Sequence, residues 1–407
     1  MFSIVSLLVA SLVLLLSAAF TRSEVGAFGF TLLGVLTSLV LAADFESRLI
    51  LASATVILFL SKEFLKQYRE VHEEFFASLL LSVAGALTTV GSQDFITFFV
   101  GLELMTVPLY GMIAYFTVRE RSLEAAIKYL VLAGISVAFL LFGIALLYAQ
   151  LHSLKFDVMA QEMGNAGPLL LIGFAFIVVG IGFKFSLAPF HFWTPDVYQG
   201  APLPITAYLT TISKAAVVIF FWRFLTAFDG ELIAVWYSDL SLLAIVSMLI
   251  GNWLALTQKD MSRFLAYSSI SHMGYVLVAL LSSGTSRKDA VLFYLLAYAS
   301  ASLLAFSSIQ SNRKIPFVFA LMSLMGLPLT AGFMAKFYIL STAFENEQWN
   351  LIAVLIMSSC LGVYAYLHMA LTTMQTQTQK NSAQGSRALV WVLAVATIVL
   401  GVWPLAV

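Results

Sequence analysis

The stretch GIGFKFSLAPFHFWTPDVYQGAP, residues 180–202, decides how this chain folds. Its first half continues an apolar run that opens near residue 168 and carries Lys184, with Pro189 five residues on. Proline has no N–H to give, so Pro189 frees the carbonyl of Phe185 beside that lysine. Unsatisfied backbone at membrane depth is tolerated only where it is buried in protein or lines a wet cavity. The spacing therefore predicts an interrupted membrane helix.

A second stretch, LMGLPLTAGFMAKFY at residues 324–338, repeats the combination: Pro328 and Gly332 weaken a helix just ahead of Lys336. Packing kinks are the plainer alternative for either one. Two breaks, each beside a lysine and five spans apart, instead match an inverted-repeat transporter.

Composition agrees. The chain has 407 residues, 61% hydrophobic and 10% charged, with 21 basic and 21 acidic side chains; its mean hydropathy is +0.97. A soluble domain of this size carries far more surface charge. Zero net charge argues against nucleic acid as a partner. Apolar runs long enough for a ~30 Å hydrocarbon core recur from end to end, and they are too continuous for the alternating pattern of a barrel. The expected fold is an all-α polytopic membrane protein of about 14 transmembrane helices. The spans fall near 2–20, 25–43, 46–62, 75–91, 95–117, 123–150, 168–189, 203–225, 232–256, 262–283, 289–309, 315–343, 348–373 and 388–406. The first run lacks a basic leader and is soon followed by another, so it reads as a membrane helix rather than a signal peptide. Spans 4–8 are repeated as 9–13, and five spans per unit turn the second copy upside down. One membrane domain, 1–407, thus comprises residues 1–74 with spans 1–3, a first repeat at 75–226, a second at 232–375, and span 14 within 386–407.

Basic residues set the orientation. Loops after odd-numbered spans carry Arg22, Lys62, Lys66, Arg69, Arg119, Arg121, Lys259, Arg263, Arg313, Lys314, Lys380 and Arg387; those after even spans carry Arg48, Lys155, Arg287 and Lys288. The excess predicts cytoplasmic odd loops and both termini periplasmic. Arg223, near the end of span 8, snorkels to an interface.

Five charges remain inside spans: Glu103, Lys128, Lys184, Lys214 and Lys336. Each costs roughly 2.5–3.5 kcal/mol at the bilayer centre on insertion scales, and such groups usually mark ion or proton paths. Glu103 follows Asp94 by nine residues, roughly 13 Å of helix, and Lys214 is equally deep behind Pro204. A structural salt bridge is the alternative for Glu103. Lys128 stands four residues after Glu124, so an interfacial i,i+4 pair competes with a path role. His272 and His191 are candidate relays because histidine titrates near neutrality, although an ordinary hydrogen-bonded histidine competes for His272. Asp196 reads as a turn or capping residue, and the single Cys360 as a small packing residue that excludes an internal disulfide. No metal-ligand spacing, phosphate loop or nucleophile arrangement occurs.

PFHFWTPDVYQGAPLPITAYLTTISKAA, GLELMTVPLYGMIAYF, LAYSSISHMGYVLVALL and LMGLPLTAGFMAKFYIL closely resemble, in the same order, the antiporter-like membrane subunits of bacterial respiratory NADH:quinone oxidoreductase, or complex I. TPDVYQGAP and a lysine in span 12 match the subunit N branch rather than its L and M relatives. The resemblance covers roughly residues 46–375. It implies an antiporter-like fold with one proton channel. By position, Glu103 looks like the span 5 glutamate, Lys184 its ion-pair partner, Lys128 a span 6 lysine, Lys214 the central lysine, Lys336 the exit lysine, and His272 the span 10 histidine.

It further implies proton translocation coupled to electron transfer from NADH to quinone, with no cofactor bound by this chain. NADH, FMN, iron–sulfur clusters and quinone would belong to other subunits. Expected partners are the antiporter-like subunit M, small membrane subunits, the lipid bilayer and protons, in a bacterial inner membrane. The chain departs from the family in a short N-terminal region and a short connector, SSIQSNRKIPF, before span 12. Competing readings are a cation/proton antiporter subunit, a proton-pumping hydrogenase subunit, and a structural scaffold with salt-bridged lysines.

Overall fold

The computed structural model describes residues 2–404 apart from 21–22, 67–72, 117–119, 162–166, 229–230, 285 and 376–385. Arg22, Arg69, Arg119 and Lys380, used above for orientation, lie outside the described residues. Spans 1–6 are the helices α1 (Phe2–Phe20), α2 (Glu24–Leu41), α3 (Phe45–Leu65), α4 (Glu73–Gly91), α5 (Phe95–Ala114) and α6 (Glu120–Leu151). A short α7 (Phe156–Gln161) precedes span 7, which is α8 (Pro168–Phe185), and a second short helix, α9 (Trp193–Gly200), follows it. Span 8 is α10 (Leu203–Tyr208), a π turn at Leu209–Ser213 and α11 (Lys214–Ala227) in one continuous rod. Spans 9–11 are α12 (Glu231–Leu256), α13 (Met261–Leu280) and α14 (Ser286–Gln310). Span 12 is split into α15 (Lys314–Met325) and α16 (Ala331–Glu345), and spans 13 and 14 are α17 (Trp349–Gln375) and α18 (Arg387–Val402).

Eight of these rods are long and apolar enough to cross a membrane by themselves. The others are shorter, split, rich in serine like α13, or, like α3, charged at both ends. Side-chain caps fix where several begin: Asp44, Asp94 and Asp260 each accept the backbone N–H three residues on, at 2.7–3.1 Å, each worth about 1 kcal/mol. α4 and α5 meet backbone to backbone. A Cβ on Gly85 would lie 2.2 Å from the Met105 nitrogen, the close approach that small residues permit between membrane helices. That contact fixes the helix carrying Glu103.

Burial divides the spans. α10–α11 and α14 are almost wholly enclosed, whereas α6 and α17 bury only about one third of their apolar windows. Ile127, Val131, Ile135 and Phe142 of α6 and Ile356, Leu367 and Leu371 of α17 stand exposed, as expected of faces solvated by lipid. Cys360, read from sequence as a packing residue, is exposed as well. It sits on an outward face of α17.

Polar contacts between loops confirm the span parity. At one end, Gln310 donates to the Leu60 carbonyl at 2.9 Å, Lys314 to that of Met374 at 3.5 Å, and Arg263 to Asp196 at 2.7 Å. All of these lie beside odd loops. At the other end, the Phe95 N–H donates to Leu154 at 3.1 Å, Arg223 to Val90 at 2.8 Å, and the Ser283 N–H to Asn346 at 2.8 Å. All of these lie beside even loops. Span 4 therefore starts at one end and span 9 at the other, so the repeats run in opposite directions.

The two breaks share one construction. α8 ends with the Ser186 N–H on the Phe183 carbonyl (3.0 Å) and the Leu187 N–H on Gly182 (2.9 Å). α15 ends with the Gly326 N–H on Ser323 (3.0 Å) and the Leu327 N–H on Met322 (3.0 Å). This is the Schellman pattern, closed by a left-handed residue: Ser186 at φ 62° and Gly326 at φ 94°. Pro189 thus lies beyond the end of α8 instead of kinking it, a correction to the sequence reading. The carbonyls near the break are taken up by the cap and by Trp193, whose indole N–H donates to Phe183 at 3.0 Å.

Candidate functional site

Two lysines are buried and a third is half-buried, and each reaches a neutral oxygen. Lys184, in the last turn of α8 and 3% exposed, donates to Thr106 Oγ1 at 2.9 Å. Lys214, 1% exposed, donates to Ser269 Oγ. Lys336 reaches back from the second half of the split span and donates to the Met325 carbonyl at the end of the first half, at 2.8 Å. Among the described residues, none of the three has a carboxylate oxygen within 4.0 Å. The ion pair expected between Glu103 and Lys184 is therefore not a direct contact here. Thr106, one turn after Glu103 on α5, takes the lysine's bond instead.

Glu103 is half-buried, and its Oε1 is enclosed without a hydrogen-bond partner. Two residues after Glu103, the Met105 carbonyl accepts from Ser82, which also pairs at 2.7 Å with Tyr208, the last residue before the π turn. Aromatic rings line the way from Lys184 to Lys214. The Lys184 ammonium lies 5.6 Å from the Tyr129 ring centre; Tyr129 lies 4.9 Å from Trp193, and Trp193 lies 6.4 Å from Tyr198. Tyr198 is 5.9 Å from the Lys214 ammonium and 3.5 Å from Ser269. The π turn ends where Lys214 begins. Such bulges, a single wide turn inside an α-helix, occur frequently at functional sites.

Beyond Lys214, Ser269 and His272 stand three residues apart on one face of α13. His272 is buried between two phenols, with Nδ1 2.6 Å from Tyr294 and Nε2 3.0 Å from Tyr366. A cavity of about 10 Å³ opens beside it, lined by His272, Tyr298 and Ser323, about the size of one water molecule. The Tyr298 and Ser323 hydroxyls are buried there without a partner. Ser323 lies just before the break of span 12. Lys336 lies 5.1 Å from the Tyr275 ring, whose hydroxyl meets Ser358 at 3.1 Å and Asn252 at 2.9 Å.

Two sequence candidates sit elsewhere. Lys128 is not enclosed: its side chain is 41% exposed at the odd-loop end, paired with Glu124 at 2.7 Å and Asp196 at 2.6 Å. It lies near the start of α6, where its long stem reaches the interface. His191 is buried against Phe192, with Nδ1 unpartnered. Asp196, read as a turn residue, instead bridges Lys128 and Arg263. Burial opposes its ionisation, but these two cations outweigh it and hold its carboxyl below the usual range. Thr106, Ser269, Tyr198 and Tyr294 were not singled out from sequence. Helical spacing from Glu103 and His272 was the available signal for the first two. No group of three or more His, Cys, Asp or Glu side chains that could hold a metal occurs among the described residues.

The profile of the family described as NADH:quinone oxidoreductase/Mrp antiporter, TM, matches residues 92–315 and 313–362. A curated relative, NADH-quinone oxidoreductase subunit N of Methylococcus capsulatus, is 42% identical over 359 residues, covering 81% of this chain and 73% of its own. The subunit N of Ectopseudomonas mendocina is 38% identical over 401 residues, covering 89% of this chain and 81% of its own. A chain in the structure of respiratory complex I from Thermus thermophilus with bound aureothin superimposes with a TM-score of 0.84 at 30% identity, over 99% of this chain and 97% of that one. The chain belongs to the family of NADH:quinone oxidoreductase and Mrp antiporter membrane subunits, on its subunit N branch.

Proposed function

We infer that this chain is the membrane-arm subunit N of an NADH:quinone oxidoreductase, moving protons across the membrane as electrons pass from NADH to quinone. One observation carries this reading: Lys184 and Lys214, buried, and Lys336, half-buried, all lie within predicted spans, each bonded to a neutral oxygen and, among the described residues, none to a carboxylate. A scaffold would pair such charges, because an uncompensated buried ion is expensive. An amine held by neutral oxygens can instead gain or lose its proton without stranding an anion.

In this reading Glu103 acts on Lys184 from the neighbouring α5, one turn before the Thr106 that accepts the lysine's bond. The proton passes toward Lys214 and on through His272 and its phenol partners to Lys336, where release occurs. Lys128 serves at the odd-loop end, outside the enclosed row. The chain supplies no redox group, and NADH, FMN, iron–sulfur clusters and quinone are the business of other subunits. Its neighbours are the antiporter-like subunit M and small membrane subunits, in a bacterial inner membrane with odd loops cytoplasmic. The antiporter-subunit alternative loses ground because both relatives above carry the subunit N name.

The test is Lys214→Ala in the assembled complex. Proton pumping and coupled quinone reduction should be lost while NADH–ferricyanide activity of the peripheral arm persists. A normal proton-to-electron ratio in that variant would remove Lys214 from the path and the reading with it.

A further inference from the structure

Asp196 has no part in the path just described, yet it is tied more firmly than any other acidic side chain among the described ion pairs. It sits on α9, the two-turn helix between the break of span 7 and span 8. One carboxylate oxygen accepts from Lys128 of span 6 at 2.6 Å, the other from Arg263 of span 10 at 2.7 Å. The carboxylate therefore joins the first repeat to the second. The far end of α9 is pressed onto span 6 without any charge: a Cβ on Gly200 would fall 2.5 Å from the Arg121 carbonyl oxygen, and Ser122 donates to the Gly200 carbonyl at 2.9 Å.

Two other side chains of α9, Trp193 and Tyr198, face the lysines. Trp193 caps the Phe183 carbonyl, next to Lys184, and packs on Tyr129. Tyr198, about 200° round the helix from Asp196, meets both Lys214 and Ser269. One short rigid element therefore touches the surroundings of two lysines. Its outward face is held by a carboxylate between two cations.

We propose that Asp196 is a positioning residue: by clamping α9 between Lys128 and Arg263, it sets, through Trp193 and Tyr198, the geometry at Lys184 and Lys214 together. Charge-assisted hydrogen bonds of this length are about twice as strong as neutral ones. Asparagine at 196 keeps the shape but leaves two cations facing each other with no anion between them. Glu124 still pairs with Lys128, and Arg263 keeps only its bond to the neutral Gln199 of α9 at 3.1 Å, so the fold survives while the grip on α9 loosens.

The experiment uses the assembled complex and rests on the proton-path reading, with Lys214→Ala measured in parallel. Asp196→Asn should lower pumping and quinone-linked turnover roughly five-fold or more, the scale of a modest coupling energy. Asp196→Glu should restore most of it. Removing both cations, Lys128→Met with Arg263→Met, should produce the same loss, and adding Asp196→Asn to that pair should cost little more. A wild-type rate in Asp196→Asn, or no recovery in Asp196→Glu, would overturn the clamp. Should Asp196→Asn not assemble, Arg263→Gln decides, since it keeps the Lys128 bond: a partial loss supports the clamp and a full rate sinks it. If Lys214→Ala itself pumps normally, the path reading has failed instead.

Discussion

A lysine surrounded by hydroxyls and carbonyls is a different object from a lysine in a salt bridge, and the difference lies in single atoms. Thr106 Oγ1 is the hydrogen-bond acceptor found for Lys184. A hydrogen bond to a charged group is worth about 1.5–3 kcal/mol. Thr106→Val keeps the volume and removes that acceptor, so pumping should fall several-fold, and Thr106→Ser should keep it. Equal activity in the two variants would show that the hydroxyl is idle. At Lys214 the comparison is between alanine and arginine. Lys214→Arg retains the charge but cannot readily release a proton, so its pumping, read as quenching of a pH-sensitive dye in sealed vesicles, should stay well below wild type. The lysines themselves were legible in the sequence because charge inside an apolar run is rare. Thr106 and Ser269 were not singled out, because hydroxyls are common in these helices and helical spacing from Glu103 and His272 is a weak mark among so many.

The breaks were legible as elements, but their construction was not. Gly, Pro and Lys in close order announced an interruption; a left-handed serine at 186 did not announce itself, and the π turn before Lys214 adds a residue to a helix without altering its composition. Asp196 was misread for a related reason: its partners come from spans 6 and 10, far away in sequence. The two caps now make opposite predictions. A left-handed conformation costs a non-glycine residue about 1–2 kcal/mol, so Ser186→Gly should leave the complex as stable or slightly more so, with pumping intact. Gly326→Ala incurs that cost and also brings a Cβ within 3.2 Å of Lys336 Cδ, so stability and pumping should both drop. Thermal unfolding of the purified complex, with pumping measured on the same samples, checks the pair. Acid tests the clamp on α9. The Asp196 carboxyl is held below the usual range, so its stabilising contribution is complete above the unfolded value, about pH 3.9, and fades as pH falls through the lower folded value. The stability gap between wild type and Asp196→Asn should stay constant from about pH 5 upward and shrink below about pH 4. A gap that closed near neutrality would mean that Asp196 is not the group responsible.

At the scale of the whole molecule, opposed repeats mean that each break faces a different side of the membrane along its own chain, and the parity of the spans carries that argument. Loop contacts establish which loops share an end; Lys and Arg counts alone say which end is cytoplasmic. Lys62, Lys66, Arg121, Lys259, Arg263, Arg313, Lys314 and Arg387 all lie toward the odd-loop end, while Arg48, Lys155, Arg223, Arg287 and Lys288 lie toward the other. Retention of basic residues on the cytoplasmic side during insertion then predicts a cytoplasmic odd-loop end. Reporter insertions separate the two claims. A fluorescent protein placed in the loop at 257–260 should light up, and alkaline phosphatase there should be inactive. At 346–348, and after span 14, phosphatase should be active and fluorescence absent. The inverse result at all three sites would reverse the orientation while leaving the parity intact, since all would have exchanged sides together. A mixed result, with 257–260 and 346–348 on the same side, would break the parity itself and with it the opposed repeats on which a path from Lys184 to Lys336 depends.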